Sequence, residues 1–326
     1  MTTRRRTRLA HGHPTDLEYH RRLLDDPVRL DAYERALRRL VRPGDVVLDL
    51  GAGSGILAMI AARLGAARVH AVESMPIAGL ARQLIAANGL ADIVQLHQAD
   101  FLDLDVIEPV DLLVSDYMGR WVVDDGMLPV VEQARRWVRP GGRACPATLD
   151  LWVAPVGDFH LRAVDLFEEP LYGLDLTAAV QTALNYCYVA NLGEDARMAR
   201  ARLWGRIETL AALPALDAVL TFELERPGRL QAVAGWFDAQ LAEGVTLSTA
   251  PASDTHWGQY LFPLPPTQVL RGDRLQLRLY LDEGEQDDVW RWAGWIERDG
   301  RAVAHFDLES TQRLGQRGPD GAVREG

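Results

Sequence analysis

The stretch that most constrains this chain is VLDLGAGSGILAMIAARLGAARVHAVE, residues 47–73. A short apolar run of strand character empties into glycines at 51, 53 and 55, becomes an apolar-periodic helix, and returns to a second apolar run ending in an acid. Glycines at alternate positions open backbone conformations closed to other residues and let a ligand approach the main chain. The helix that follows offers unpaired N-terminal amides. The alternation continues through PIAGLARQLIAANG, VQLHQAD, DLLVSDY and MLPVVEQARRWV to about Cys145. Strand and helix in turn imply right-handed crossovers, and so a parallel sheet covered on both faces. Ahead of it, LEYHRRLLDDPVRLDAYERALRRLV carries leucines at helical spacing with an interruption at Pro27, which predicts one or two helices before the first strand.

After Pro146 the character changes. LDAVLTFELERPGRLQAVAGWFDAQL, DRLQLRLYLDE and VWRWAGWIERDGRAVAHFDLE alternate apolar and polar residues and turn at Pro227-Gly228 and Asp299-Gly300, which predicts antiparallel strands. The expected fold is α/β: a doubly wound, parallel Rossmann-like sheet over 16–145, then an antiparallel β-barrel-like domain over 146–314. A helical arm is inserted at about 163–204, and residues 1–15 and 315–326 are expected to be disordered.

Composition narrows the function. The chain has 326 residues and a net charge of -11, and all 35 of its basic residues are arginine. That balance argues against a general nucleic-acid binder, which needs a basic face to displace counterions, and favours a cationic substrate. No apolar stretch reaches the roughly 18 residues a membrane span requires, and no apolar region follows the basic N-terminus. A cytoplasmic protein without membrane contact is expected. Cys145 and Cys187 stand far apart, which predicts buried thiols rather than a disulfide or a zinc site.

A dinucleotide fingerprint would need a third glycine where Ile56 stands. DLGAGSG is instead similar to the turn of a class I S-adenosylmethionine site. Asp49 ends the first strand. Glu73 ends the second, where a carboxylate can accept hydrogen bonds from both ribose hydroxyls. Asp100 closes the third apolar run, within reach of an adenine amino group. Ligands bind outside the carboxyl ends of such strands, so Asp49, Gly51, Gly53, Glu73 and Asp100 are expected to hold S-adenosylmethionine.

The segment after the fourth strand, VSDYMGRWVVDDGML, resembles the double-acid loop of the protein arginine methyltransferases at Asp116, Met118, Gly119, Asp125, Met127 and Leu128. TAPASDTHWGQYLF is similar to that family's T-H-W loop, at Thr255, His256 and Trp257, and HRRLLDDPVR resembles the segment that closes over the cofactor, at His20, Asp26 and Arg29. The three motifs occur in the family's order over about residues 17–310, as in a bacterial homologue. The resemblance implies that Asp116 and Asp125 flank a guanidinium and that His256 takes a proton with Asp26 as its partner. It also implies that Arg29 pairs with the cofactor carboxylate, that His20 lines the same pocket, that Met127 packs beside the sulfonium, and that Trp257 faces the substrate. The arm around YGLDLTAAVQTALN resembles a dimerisation element and implies a homodimer.

Two departures bear on the substrate. Both acids are aspartate where the family has glutamate, which draws each carboxylate back by about 1.5 Å, and misplacement on that scale can cost on the order of a hundredfold in rate. Arg120 stands where the family has tyrosine; it could neutralise an acid or bind a small substrate's carboxylate, and Asp124 could replace Asp125. The resemblance implies that the acceptor is a guanidino nitrogen of a protein, a peptide or free arginine. A different small-molecule nucleophile, or an inactive cofactor-binding scaffold, are the alternatives.

Overall fold

The computed structural model describes residues 17–119, 121–123, 127–283 and 288–310. The two termini expected to be disordered lie outside them.

Five parallel strands form the first sheet: β1 (Val46–Leu50), β2 (Arg68–Val72), β3 (Val94–His97), β4 (Val110–Ser115) and β5 (Val138–Cys145), in the order β3-β2-β1-β4-β5. The chain leaves β1 towards β2 and returns on the other side at β4, so the crevice between the carboxyl ends of β1 and β4 is the switch point. Val47 and Leu48 are wholly buried, as strands covered on both faces require. The crossover helices are α3 (Ile56–Arg63), α4 (Ala78–Ala87) and α5 (Met127–Arg135). Gly55, at φ +77°, turns the chain into α3, whose Leu57, Ala58, Met59, Ala61 and Ala62 are buried. Only a residue without Cβ adopts that turn without strain.

Two helices precede the sheet, α1 (Leu17–Leu24) and α2 (Pro27–Leu40). The break between them follows from the sequence Asp25-Asp26-Pro27. Asp26 caps α2 by accepting a hydrogen bond from the Arg29 amide at 2.9 Å, and Pro27 occupies the first turn, where a missing N–H costs nothing. α2 buries Ala32, Tyr33, Ala36 and Leu37.

The rest is antiparallel. One sheet holds β6 (Thr148–Gly157), β7 (Tyr188–Ala190), β8 (Arg202–Glu208), β10 (Gly228–Ala242), β11 (Val245–Ser248) and β12 (Gln259–Val269), ordered β7-β12-β10-β6-β8 with β11 on β10. The other holds β9 (Asp217–Glu223), β13 (Arg274–Glu283), β14 (Asp288–Arg298) and β15 (Arg301–Glu309), ordered β15-β14-β13-β9. Contacts of β8 with β9 and of β12 with β15 bring the edges of the two sheets together, and α2 packs on β10 and β11, tying the helices to this half. The parallel sheet followed by antiparallel strands is the architecture read from the sequence, with β6, β7, β8, β11 and β12 as strands the periodicity did not show. β12 carries Pro263, Pro265 and Pro266, and its pairing with β10 shifts register between Leu230 and Ala232, opposite the first of them. The segment expected as an arm contains α6 (Arg162–Asp165), α7 (Val180–Leu184), short 3-10 turns and β7, and its last residues already belong to β8.

Cys145 and Cys187 are both buried thiols, as expected. Among the described residues no helix is long and apolar enough to cross a membrane, and no cluster of side chains is fit to hold a metal ion.

Gly294 on β14 is held by its neighbour strand: a Cβ there would lie 1.9 Å from the Gln276 carbonyl oxygen. Gly294→Ala should therefore cost about 1–3 kcal/mol by overpacking, measured by urea unfolding. An unchanged midpoint would contradict this pairing.

Candidate active site

The site lies at the carboxyl end of the parallel sheet, where α1, α2, the β4 end and the loop before β12 converge. Asp49, at the end of β1, is 1% exposed and accepts a hydrogen bond from the Ala58 amide at 2.8 Å. Burial, reinforced by the charges of Asp116 and Glu73, pushes its carboxyl up to about 8 against the opposing pull of the Ala58 amide and Arg29. Glu73 uses both oxygens as struts, accepting from Gly53 N and Met75 N at 2.8 Å each. Each oxygen keeps a lone pair for a further donor. Gly51 and Gly53 adopt φ +69° and +54°, and a Cβ on Gly53 would stand 3.2 Å from the His20 ring. His20 thus covers the glycine turn, with Tyr19 edge-on to it at 5.3 Å. Asp100 is exposed and accepts from Leu102 N at 2.9 Å.

Beside this cradle two pairs join distant parts of the chain. Arg29, 2% exposed, forms an ion pair with Asp116 and donates to the Leu23 carbonyl at 2.8 Å. Its Nε is buried and meets no hydrogen-bond partner among the described residues. Asp26, after capping α2, accepts from both the backbone amide and Nδ1 of His256, at 3.0 and 2.9 Å. A carboxylate can only accept, so Nδ1 carries the proton and Nε2 is left as the basic nitrogen. Burial works against the Asp26 anion, but the His256 ring and the two amides outweigh it and hold the carboxyl below its ordinary range.

The structure therefore gathers His20, Asp26, Arg29, Asp49, Gly51, Gly53, Glu73, Asp116 and His256 at one end of the sheet. Trp257 is buried, its ring 5.5 Å from Phe237 and 3.9 Å from His256, so most of it supports the histidine from the core side. Asp125, Asp124 and Arg120 lie outside the described residues, as does the side chain of Met127. Tyr33 is a residue that sequence reading passed over. It is fully buried, and its hydroxyl donates to the Ser115 carbonyl at 2.8 Å, fixing the last residue before Asp116. Its signal was available: four residues after Arg29, it shares that residue's helix face.

The donor set fits an S-adenosyl cofactor. The orphaned Arg29 Nε suits a carboxylate, the free lone pairs of Glu73 suit a diol, and the Gly53 cradle admits close approach to the backbone. Comparisons with known proteins point the same way. Residues 32–145 match the family model for ribosomal protein L11 methyltransferase, and residues 147–289 that for the arginine methyltransferase oligomerization subdomain. Protein arginine N-methyltransferase PRMT10 of rice, Oryza sativa subsp. japonica, is 34% identical over 303 residues, covering 79% of each chain. The chain belongs to the protein arginine N-methyltransferase family. It is an S-adenosylmethionine-dependent methyltransferase by that membership. The histone-arginine methyltransferase CARMER of Drosophila persimilis is 29% identical over 82% of this chain and 54% of its own. The crystal structure of Arabidopsis thaliana protein arginine methyltransferase 10 superposes with a TM-score of 0.79 at 26% identity, covering 91% of this chain and 98% of that one. The Trypanosoma brucei PRMT1 enzyme-prozyme complex with AdoHcy gives 0.83 at 22% identity over the same shares, a likeness of fold.

The raised Asp49 carboxyl makes cofactor binding depend on pH. Its contribution to apo-protein stability is complete below the ordinary value of 3.8 and is lost as pH rises through about 8. A cationic ligand in the glycine turn pulls the carboxyl back down, so S-adenosylmethionine should bind with net proton release near pH 7 and more tightly as pH rises towards 8. Titration calorimetry in phosphate and in Tris should give different apparent enthalpies, and Asp49→Asn should abolish the difference. Equal enthalpies in the two buffers for the wild-type protein would refute the shift.

Proposed function

We propose that this chain transfers a methyl group from S-adenosylmethionine to a guanidino nitrogen of arginine in a protein, a peptide or the free amino acid. The observation that carries the proposal is the Asp26–His256 hydrogen bond, which spans 230 residues of sequence and lies beside the Arg29–Asp116 pair. When bound, the cofactor supplies an electrophilic methyl on a sulfonium centre. Asp116 then orients the acceptor: a carboxylate fixes the plane of a guanidinium through charge-assisted hydrogen bonds and stabilises the positive charge the product retains. Arg29 is the resident demonstration that Asp116 accepts such a group. His256 takes the proton at Nε2, with Asp26 holding the tautomer and ring orientation. The buried Nε of Arg29 is the donor for the cofactor carboxylate, and Glu73 receives the ribose hydroxyls. Asp125 takes the second acid's place by its position in the motif.

Labelled-methyl transfer to arginine, to arginine-rich peptides and to matched lysine peptides, with mass spectrometry of the products, tests this reading. Methylation confined to the arginine substrates is the expected outcome. Transfer to amines alone, or cofactor binding without turnover, would refute it. His256→Ala should lower kcat about a hundredfold or more, as loss of a general base does, while leaving cofactor affinity within a few-fold.

The arm presents Leu166, Leu171, Tyr172, Leu174 and Tyr186 to solvent, with Tyr172 96% exposed. So many exposed large apolar side chains within one short stretch of chain mark an interaction surface. A second copy of the chain is its proposed occupant, in keeping with the oligomerization subdomain matched there. Leu171→Asp combined with Leu174→Asp should halve the mass seen by light scattering, and an unchanged mass would remove the assignment.

A further inference from the structure

Trp121 lies five residues beyond Asp116 in the loop after β4, yet its side chain belongs to the other half of the molecule. It is wholly buried, and its indole Nε1 donates to the Trp236 carbonyl on β10 at 3.0 Å. Its ring centroid lies 5.0 Å from those of Trp204 on β8 and Trp290 on β14. Phe262, on β12, is edge-on to it at 5.3 Å, and Tyr260 on the same strand is stacked at 6.3 Å. Strands of both antiparallel sheets therefore grip one residue of the loop that carries the acid.

The receptor for this ring is built into β10. A Cβ on Gly235 would lie 2.7 Å from Cε2 of Trp121, so the indole rests flat on a backbone that only glycine leaves open. A glycine inside a strand marks such a close approach. From the anchor, the main chain is tied back to the acid: Val122 N donates to the Met118 carbonyl at 2.7 Å, and Met118 N to the Asp116 carbonyl at 2.9 Å. Val122 itself sits at φ +65°, a conformation a β-branched residue takes only where its surroundings impose it.

The geometry points to Trp121 as a positioning residue for methyl transfer: seated on Gly235 inside the aromatic cluster, it sets where Asp116 stands. This rests on the reading of Asp116 as the acid that orients the guanidinium. Displacement of that acid by about 1 Å should cost on the order of a hundredfold in rate without touching the cofactor cradle. Anchoring and catalysis are measured separately.

Four full-length variants are compared: Trp121→Ala, Trp121→Phe, Gly235→Ala and, as a packing control on the far side of Phe262 from the Trp121 ring, Trp292→Phe. Hydrogen exchange reports the amides of Met118, Val122 and Val123, and steady-state kinetics report kcat on an arginine peptide beside the cofactor Kd. Trp121→Ala and Gly235→Ala should lose protection at the three amides and lower kcat by about a hundredfold, with the Kd unchanged within about twofold. Trp121→Phe should recover most of both, and Trp292→Phe should leave both near wild type. Retained protection in Gly235→Ala and Trp121→Ala, or a loss of kcat in the control equal to theirs, would overturn the proposal. Wild-type protein inactive on every guanidino substrate would sink the arginine reading, and the exchange data alone would then decide the anchoring. Should Trp121→Ala fail to fold, Gly235→Ala and Trp121→Phe carry the same test.

Discussion

The site depends on a charge that the fold has removed from water. Arg29 is almost entirely buried, and burial of an unpaired guanidinium is prohibitive, so its position is tolerable only with Asp116 in place. Breaking such a pair from one side costs about 3–5 kcal/mol, because the remaining charge is stranded. The ion pair therefore acts as a register between α2 and the end of β4. Elements that meet in the site must be docked to within a hydrogen bond before either charge is satisfied.

Around that register each acid has a distinct environment. Asp26 is an anion held by three donors, Asp49 is forced towards its neutral form by burial and by neighbouring acids, and Glu73 braces two amides. Asp26 and Asp49 thus lean to opposite charge states because of what touches them, which is how a site combines cation binding with proton transfer. Tyr33 and Ser115 complete the frame below Asp116: the Ser115 hydroxyl donates to the Leu50 carbonyl at 2.9 Å and accepts from the Tyr117 amide at 3.1 Å.

What the sequence disclosed was what is local. The strand, glycine turn and helix around Gly51 to Gly55, the acids at successive strand ends and the helix interruption at Pro27 all act within a few residues, so their pattern survives without the third dimension. β12 was hidden because three prolines interrupt its alternation. β6 and β8 went unread because their context is the sheet and not their own turns. The Asp26–His256 contact was reached through resemblance to a family, since no spacing rule links residues so far apart. Trp121 and Gly235 escaped notice although each carried a mark, an aromatic between the motif's two acids and a glycine within the strand run QAVAGWF. Their meaning is pairwise, and one residue alone does not announce its partner.

Asp26 serves two masters. Its Oδ1 closes the first turn of α2 while its Oδ2 holds the imidazole, so unwinding that turn also disarms the histidine. Arg29 lies in that same turn, so the buried ion pair with Asp116 holds it wound. Chemical competence in this protein therefore rests on the winding of one helical turn.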